Sequence, residues 1–247
     1  MGTEQLKMVF DFGTLGVEAA LEKIQTILVN HGIPVDGFIH YDEPVSLPQA
    51  LKRLKKSNRM SFDLEGQGFE FMLGAVRNYN IEFLVIRSTD EVRIPWDDWV
   101  DHFARDSNLV IAWVADSEYE HWQNAEDPLQ YTAVGKPYEH LPMKSNELPY
   151  PLEQMIIDTS ANPGRWRFHD GYIEAVGAVM WLGPRFWQLT GAEQEQVANT
   201  SWLTVTHTTP SVVKLQAAEH TFTTAEGISG ELQNRLRSML FQQKVTR

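Results

Sequence analysis

Cysteine is absent from this 247-residue sequence, which excludes disulfide bonds, thiolate metal sites and cysteine nucleophiles. Long apolar runs are absent as well, because the run from Leu109 to Ala115 is far shorter than the roughly 20 residues that cross a bilayer. The N-terminal residues Met1 to Lys7 are polar and lack the pattern of a secretory signal. We therefore expect a cytoplasmic protein that does not bind membranes.

Motifs for catalysis and cofactor binding are absent too. The sequence contains no Gly-rich phosphate loop, no dinucleotide fingerprint and no G-x-S-x-G nucleophile elbow. Its eight histidines are not paired at the spacing of metal ligands. We therefore expect no metal, no cofactor and no enzymatic turnover. The alternative is a small hydrolase or transferase in which His102, His121 or His169 works with nearby carboxylates.

Basic residues are fewer than acidic ones, with 21 Lys and Arg against 33 Asp and Glu and a formal net charge of −12. This balance repels phosphate backbones, so we do not expect nucleic-acid binding. One basic cluster lies between Lys52 and Arg59, and we interpret it as the solvated side of a helix. Most of the excess acidity belongs to residues 1–150, which carry 24 acidic and 13 basic side chains.

The sequence does contain enough apolar residues for a core, since hydrophobic residues make up 43% of it. The run from Leu109 to Ala115 is typical of a strand that is buried on both faces. Other strand patterns are Lys7–Phe12, Phe38–Tyr41, Met60–Leu64, Phe69–Leu73, Glu82–Arg87, Trp202–His207 and Val212–Gln216. Strands and helices do not alternate strictly, which predicts an α+β fold with a largely antiparallel mixed sheet and packed helices. The sheet belongs either to one unit or to two subdomains that share a core.

The C-terminal segment predicts a helix that packs on the sheet. Its apolar face consists of Ile228, Leu232, Leu236, Met239 and Leu240. Thr223 and Glu226 have the spacing of a capping box, so we expect them to begin the helix.

Proline marks the predicted boundary within the chain. Five of the twelve prolines fall between Asn124 and Leu152, where the pattern is irregular. We therefore divide the chain into an acidic N-terminal α+β part (residues 1–123), a Pro-rich connecting segment (124–152) and a C-terminal α+β part (153–247) with the hairpin and the terminal helix.

The strongest local feature is an acidic segment between Asp90 and Asp127, in which eleven carboxylates accompany two arginines. The spacing of Trp96, Trp99 and Phe103 predicts a helix with one buried side, so its aspartates must face outward. Three more carboxylates follow where the chain leaves the buried strand. The predicted partner-binding residues are Asp97, Asp98, Asp101, Asp116, Glu118 and Glu120. Clustered carboxylates speed association with basic partners, but the alternative is a surface that serves only solubility.

Four short stretches of the C-terminal part resemble a known class of proteins. They are Ile156–Ser160 (IIDTS), Asn162–Arg165 (NPGR), Gly171–Gly177 (GYIEAVG) and Met180–Gly183 (MWLG). These stretches are similar to bacterial immunity proteins that are encoded beside polymorphic or type VI secreted toxins. The likeness is confined mainly to residues 152–187, so the acidic segment lies outside it.

The resemblance implies a cytoplasmic protein that binds and blocks one cognate toxin, with no cofactor and no turnover. Immunity proteins of this kind share no catalytic motif, so the resemblance assigns no residue a role. Charge complementarity independently favours a basic toxin as the partner. A structural subunit of a secretion machine is the remaining alternative.

Overall fold

The computed structural model describes residues 3–57, 59–89, 94–105 and 108–242. The strands are β1 (Glu4–Asp11), β2 (Phe38–His40), β3 (Glu43–Val45), β4 (Phe62–Gly66), β5 (Phe69–Val76), β6 (Ile81–Ser88), β7 (Leu109–Asp116), β8 (Met143–Ser145), β9 (Met155–Ile157), β10 (Arg167–His169), β11 (Tyr172–Glu174), β12 (Val179–Leu182), β13 (Thr204–Thr209) and β14 (Val212–Gln216). The helices are α1 (Val17–Asn30), α2 (Leu47–Ser57), α3 (Trp96–Ala104), α4 (Ser117–Asn124), α5 (Pro128–Ala133), α6 (Pro184–Thr190), α7 (Gln194–Ala198) and α8 (Gly227–Leu240).

One large sheet organises the described part of the chain. The ten strands of this sheet are hydrogen-bonded in the order β13-β14-β12-β7-β1-β6-β5-β4-β2-β3, and all neighbouring strands are antiparallel. Two small two-stranded sheets, β8-β9 and β10-β11, accompany it. The fold is therefore α+β with a largely antiparallel sheet, as the sequence predicted.

Strand β7 lies inside this sheet, between a strand from the N-terminal part of the chain and a strand from the C-terminal part. It pairs with β1 on one side and with β12 on the other. All eight of its residues are buried, which confirms the predicted strand at Leu109 to Ala115. Because β12 and β14 come from residues 153–247, the sheet contains strands from both α+β parts of the sequence.

The two faces of the sheet carry separate cores. On the first face, Leu6, Met8 and Phe10 of β1 pack with the apolar sides of α1, α2 and α3. On the second face, Val9 of β1 joins Ile111 of β7 in a core with α6, α7 and α8. This division follows from the alternation of side chains along a strand.

The terminal helix differs from its predicted N-terminus. Helix α8 begins at Gly227, and Glu226 occupies the N-cap position without a side-chain hydrogen bond, so the predicted capping box does not form. Ile228 is 77% exposed because it lies in the first turn, before the helix meets the sheet. Leu236 and Leu240 are fully buried in the second core, as predicted. No helix among the described residues is both long and apolar enough to cross a membrane.

Candidate interaction surface

The six predicted carboxylates do not form one surface. Helix α3, with Asp97, Asp98 and Asp101, packs through Trp99 on the first face of the sheet. Helix α4 follows β7 directly and turns Glu120 toward Trp113, which belongs to the second face. The two acidic groups therefore lie in opposite layers of the molecule.

The three aspartates of α3 are partly buried and have neighbours within the chain. Asp97 forms an ion pair with Lys214 at 2.6 Å and accepts a hydrogen bond from Trp181 Nε1 at 3.1 Å. Asp98 lies 3.1 Å from His31, the residue that follows α1. Partial burial raises the pKa of Asp101, although nearby Arg105 opposes this shift. These contacts connect α3 to the strands β12 and β14 and to α1.

Asp116 and Glu120 are buried, and each is only 7% exposed. The sequence interpretation placed both at the surface, and the structure corrects it. Asp116 is the N-cap of α4 and accepts a hydrogen bond from the amide of Tyr119 at 2.7 Å. Glu120 forms an ion pair with Lys7 and accepts a hydrogen bond from Gln5 Nε2 at 2.7 Å. Asp116 therefore caps α4 where it leaves β7, Glu120 holds α4 against β1, and Glu118 between them remains exposed.

A charge network around the buried Arg237 was not predicted. Glu174 of β11 accepts a hydrogen bond from Arg237 of α8 at 2.5 Å, lies 3.8 Å from Arg165 and 3.1 Å from His169. Arg237 also donates to the backbone carbonyls of Pro163 and Arg165. The resembling stretches contain Arg165 and Glu174, which was the available signal, but the pattern of α8 gave no indication that Arg237 is buried.

Burial and charge shift the pKa values of this network in different directions. Burial alone raises the pKa of Glu174, but the hydrogen bond and the charge of Arg237 more than offset it, so the pKa is lowered. Burial lowers the pKa of Arg237, and it lowers that of Arg165 to about 10. The network ties α8 to β11 and to the turn before β10, and all the contacts named are within the chain.

The three histidines of the enzymatic alternative lie on three different elements, α3, α4 and β10. His102 Nδ1 is 3.2 Å from the backbone carbonyl of Asp98, and the ring of His121 lies edge-on to Trp122. His169 contacts Glu174 in the network described above. Within residues 3–57, 59–89, 94–105 and 108–242, no three His, Asp or Glu side chains are grouped so that they could hold a metal ion.

A groove of about 930 Å³ separates α4 from the strands beside it. Its strand side contains Glu70 and Arg87, which form an ion pair at 2.9 Å. Its helix side contains Glu118, His121 and Trp122, and Lys136 lies over the Trp122 ring at 4.4 Å. A second groove, of about 700 Å³, lies elsewhere along α4 and shares Glu118 and Trp122. Glu118 is thus the predicted carboxylate that both grooves present to solvent.

The second face of the sheet continues beyond the first groove as a partly exposed surface, which we call the open half. It consists of the side chains that β2, β4, β5 and β6 direct away from the first core. One cross-strand row is Ile39, Glu65, Glu70 and Arg87, and the next is Asp63, Met72 and the buried Val85. On β1 the two rows meet Gln5 and Lys7, where the covered half begins. The covered half of the same face, formed by β1, β7, β12 and β14, lies under α6 and α8.

No protein-family model matches the sequence, and no curated protein matches it. Among solved structures, the chain is similar to a protein described as Pseudomonas aeruginosa T6SS protein PA0821. The two share 10% sequence identity with a TM-score of 0.53, over 96% of this chain and 73% of the other. At this identity the likeness shows a shared fold over nearly the whole of this chain.

Proposed function

We propose that this protein is an immunity protein that binds and neutralises a cognate toxin of a type VI secretion system in the cytoplasm. The observation that carries the proposal is the fold shared with a T6SS protein along 96% of the chain. It agrees with the sequence resemblance of residues 152–187 to immunity proteins. The protein acts by binding, without turnover and without a cofactor.

The grooves beside α4 support a binding role. A protein interface needs exposed side chains that a partner can reach, and aromatic residues are enriched in such interfaces. Glu118 and Trp122 line both grooves, and Glu118 is exposed. Asp97, Asp98 and Asp101 remain proposed contacts in the opposite layer, because each keeps part of its side chain accessible. Asp116 and Glu120 are each only 7% exposed, and we assign them the role of positioning α4.

Co-expression with the toxin gene beside this one tests the proposal. We expect growth protection by the wild-type protein and inhibition that is complete at equal concentrations of the two proteins. An enzyme that inactivates the toxin would instead protect at a small fraction of the toxin concentration. Loss of secretion without loss of protection, on deletion of the gene, would favour a structural subunit of the secretion machine.

Charge variants locate the contact on one layer or the other. Glu118→Lys is expected to slow association with a basic toxin, since a rim charge acts mainly on the association rate. The Asp97→Asn, Asp98→Asn, Asp101→Asn variant tests the α3 layer in the same assay. Melting temperatures are measured in parallel, because Asp97 and Asp98 also contact residues of this chain. If neither variant changes binding at low or high salt, these carboxylates serve solubility only.

A further inference from the structure

The open half of the sheet combines exposed apolar side chains with carboxylates. Ile39 is 47% exposed and Met72 is 39% exposed, and both point away from the first core. Asp63 is the direct cross-strand neighbour of Met72, and Glu65 is the neighbour of Ile39. Each exposed apolar side chain therefore has a carboxylate beside it on the next strand.

The phenylalanine of β6 adds a flat apolar element to this half. A Cβ atom placed on Gly74 would lie 2.5 Å from Cζ of Phe83, so the Phe83 ring lies across the glycine. The two residues are cross-strand neighbours. Glycine at position 74 lets the ring lie close to the sheet, next to Met72 along the strand.

The carboxylates of the open half are only partly neutralised within the chain. Glu65 and Glu70 lie directly opposite each other on β4 and β5, and like charges in this position destabilise a sheet. Arg87 forms an ion pair with Glu70. Asp63 and Glu65 form no ion pair with any residue that the structure describes. A cation supplied from outside would relieve this repulsion.

We propose that the open half docks a basic partner that presents lysine or arginine side chains beside an exposed apolar residue. The lysine or arginine side chain of the partner lies between Asp63, Glu65 and Glu70. The apolar residue of the partner packs on Met72, Ile39 and the Phe83 ring. This inference rests on the proposed function, since the partner in the cell is the cognate toxin. It adds the chemistry of the contact and a surface that the sequence did not indicate.

A peptide probe tests the chemistry without the toxin. The probe is a short peptide of repeated Lys-Lys-Leu-Leu, because each side of such an extended strand carries both lysine and leucine. The matched control peptide is repeated Glu-Glu-Leu-Leu. The readout is the NMR signal of ¹³C-labelled methionine methyl groups, in which Met72 reports on the open half and the exposed Met143 and Met155 report on other surfaces.

We expect the basic peptide to shift the Met72 signal and to leave Met143 and Met155 unchanged, while the acidic peptide shifts none of them. The variant Asp63→Lys, Glu65→Lys is expected to weaken this binding by about tenfold or more. The control variant Glu153→Lys, Glu231→Lys has the same change in charge on other exposed positions and is expected to change it by less than about twofold. Equal shifts at all three methionines, or equal losses in the two variants, would overturn the proposal.

The same methionine signals with the neighbouring toxin separate the two proposals. A stable toxin complex that leaves Met72 unshifted overturns docking at the open half but leaves the immunity function standing. Specific binding of the basic peptide at Met72, without any binding or neutralisation of the toxin, supports the docking surface and rejects the immunity function. A shift of Met72 in the toxin complex, reduced by the Asp63→Lys, Glu65→Lys variant, supports both.

Discussion

The covered and open halves of the second sheet face are built by the same alternation of side chains but have different neighbours. In the covered half, Ile111, Trp113 and Met180 are buried beneath the helices. In the open half, the corresponding positions alternate between apolar residues and carboxylates, and Met72 is 39% exposed. The comparison indicates that the covered half stabilises the fold, and the open half is the surface that we propose contacts a partner.

The largest effect on the free energy of unfolding is expected from a substitution in the charge network that fixes α8 over the covered half. Arg237→Met should lower the free energy of unfolding by about 3 to 5 kcal/mol, because it leaves the half-buried Glu174 and the carbonyls of Pro163 and Arg165 without their partner. Arg235→Met, two residues earlier, is the matched control, since Arg235 is exposed and lies over the Trp202 ring. Denaturant unfolding measures both, and equal losses would show that the network does not hold the helix.

Truncation of one apolar side chain in each half tests the comparison directly. Leu236→Ala in the covered half should cost about 2 to 5 kcal/mol, because it leaves a cavity in the second core. Met72→Ala in the open half should change the free energy of unfolding by about 0.5 kcal/mol or less. A large loss for Met72→Ala would mean that the open half is part of the core and would contradict its assignment as a contact surface.

The acidity of Glu174 gives the covered half a predicted pH dependence. Burial alone raises the pKa of Glu174, but the hydrogen bond and charge of Arg237 more than offset burial and lower this pKa in the folded protein below the ordinary value of 4.5. The stabilising effect of Glu174 is therefore present above that pH and is lost as the pH falls through the folded pKa. The advantage of the wild-type protein over Glu174→Gln should therefore be constant near neutral pH and shrink below about pH 4.5. Unfolding curves across this range check it, and a difference that does not change with pH would exclude Glu174 as the titrating group.

The smallest effect on the free energy of unfolding is expected from the facing carboxylates Glu65 and Glu70 of the open half. Glu65→Gln removes the repulsion with Glu70 and should raise the free energy of unfolding by about 0.2 to 1 kcal/mol. Glu153→Gln, at an exposed position outside the sheet, is the control and should have no measurable effect. A loss of stability in Glu65→Gln would mean that this carboxylate already has a favourable partner.

Local patterns predicted the strands, but they did not predict which surfaces remain uncovered. The apolar run of β7 and the alternation around the hairpin of β13 and β14 are local signals, and the structure confirms both elements. The alternation of β5 shows that Met72 and Phe71 face opposite sides, but not that helices cover only the side of Phe71. Coverage depends on where segments distant in sequence pack, which no local pattern contains.

The same reason explains the carboxylates that the sequence misplaced. Glu120 is buried because it pairs with Gln5 and Lys7 of β1, which lie more than a hundred residues earlier in the chain. Arg237 of α8 is buried beside Glu174 of β11, which accepts its hydrogen bond. A charged residue in a helical pattern is ordinarily assigned to the solvent-facing side. Only the tertiary structure shows the partner that offsets the free-energy cost of burying its charge.

The central position of β7 also constrains how the chain assembles during synthesis. Its pairing with β1 is available once residue 116 has been made, but the edge that pairs with β12 has no partner until Val179–Leu182 is made. In that interval the edge exposes an apolar run without charge from Leu109 to Ala115, which is the type of segment that pairs with other chains. Pairing across so long a loop is also slow. Nascent chains that end before β12 are therefore expected to aggregate or to need a chaperone.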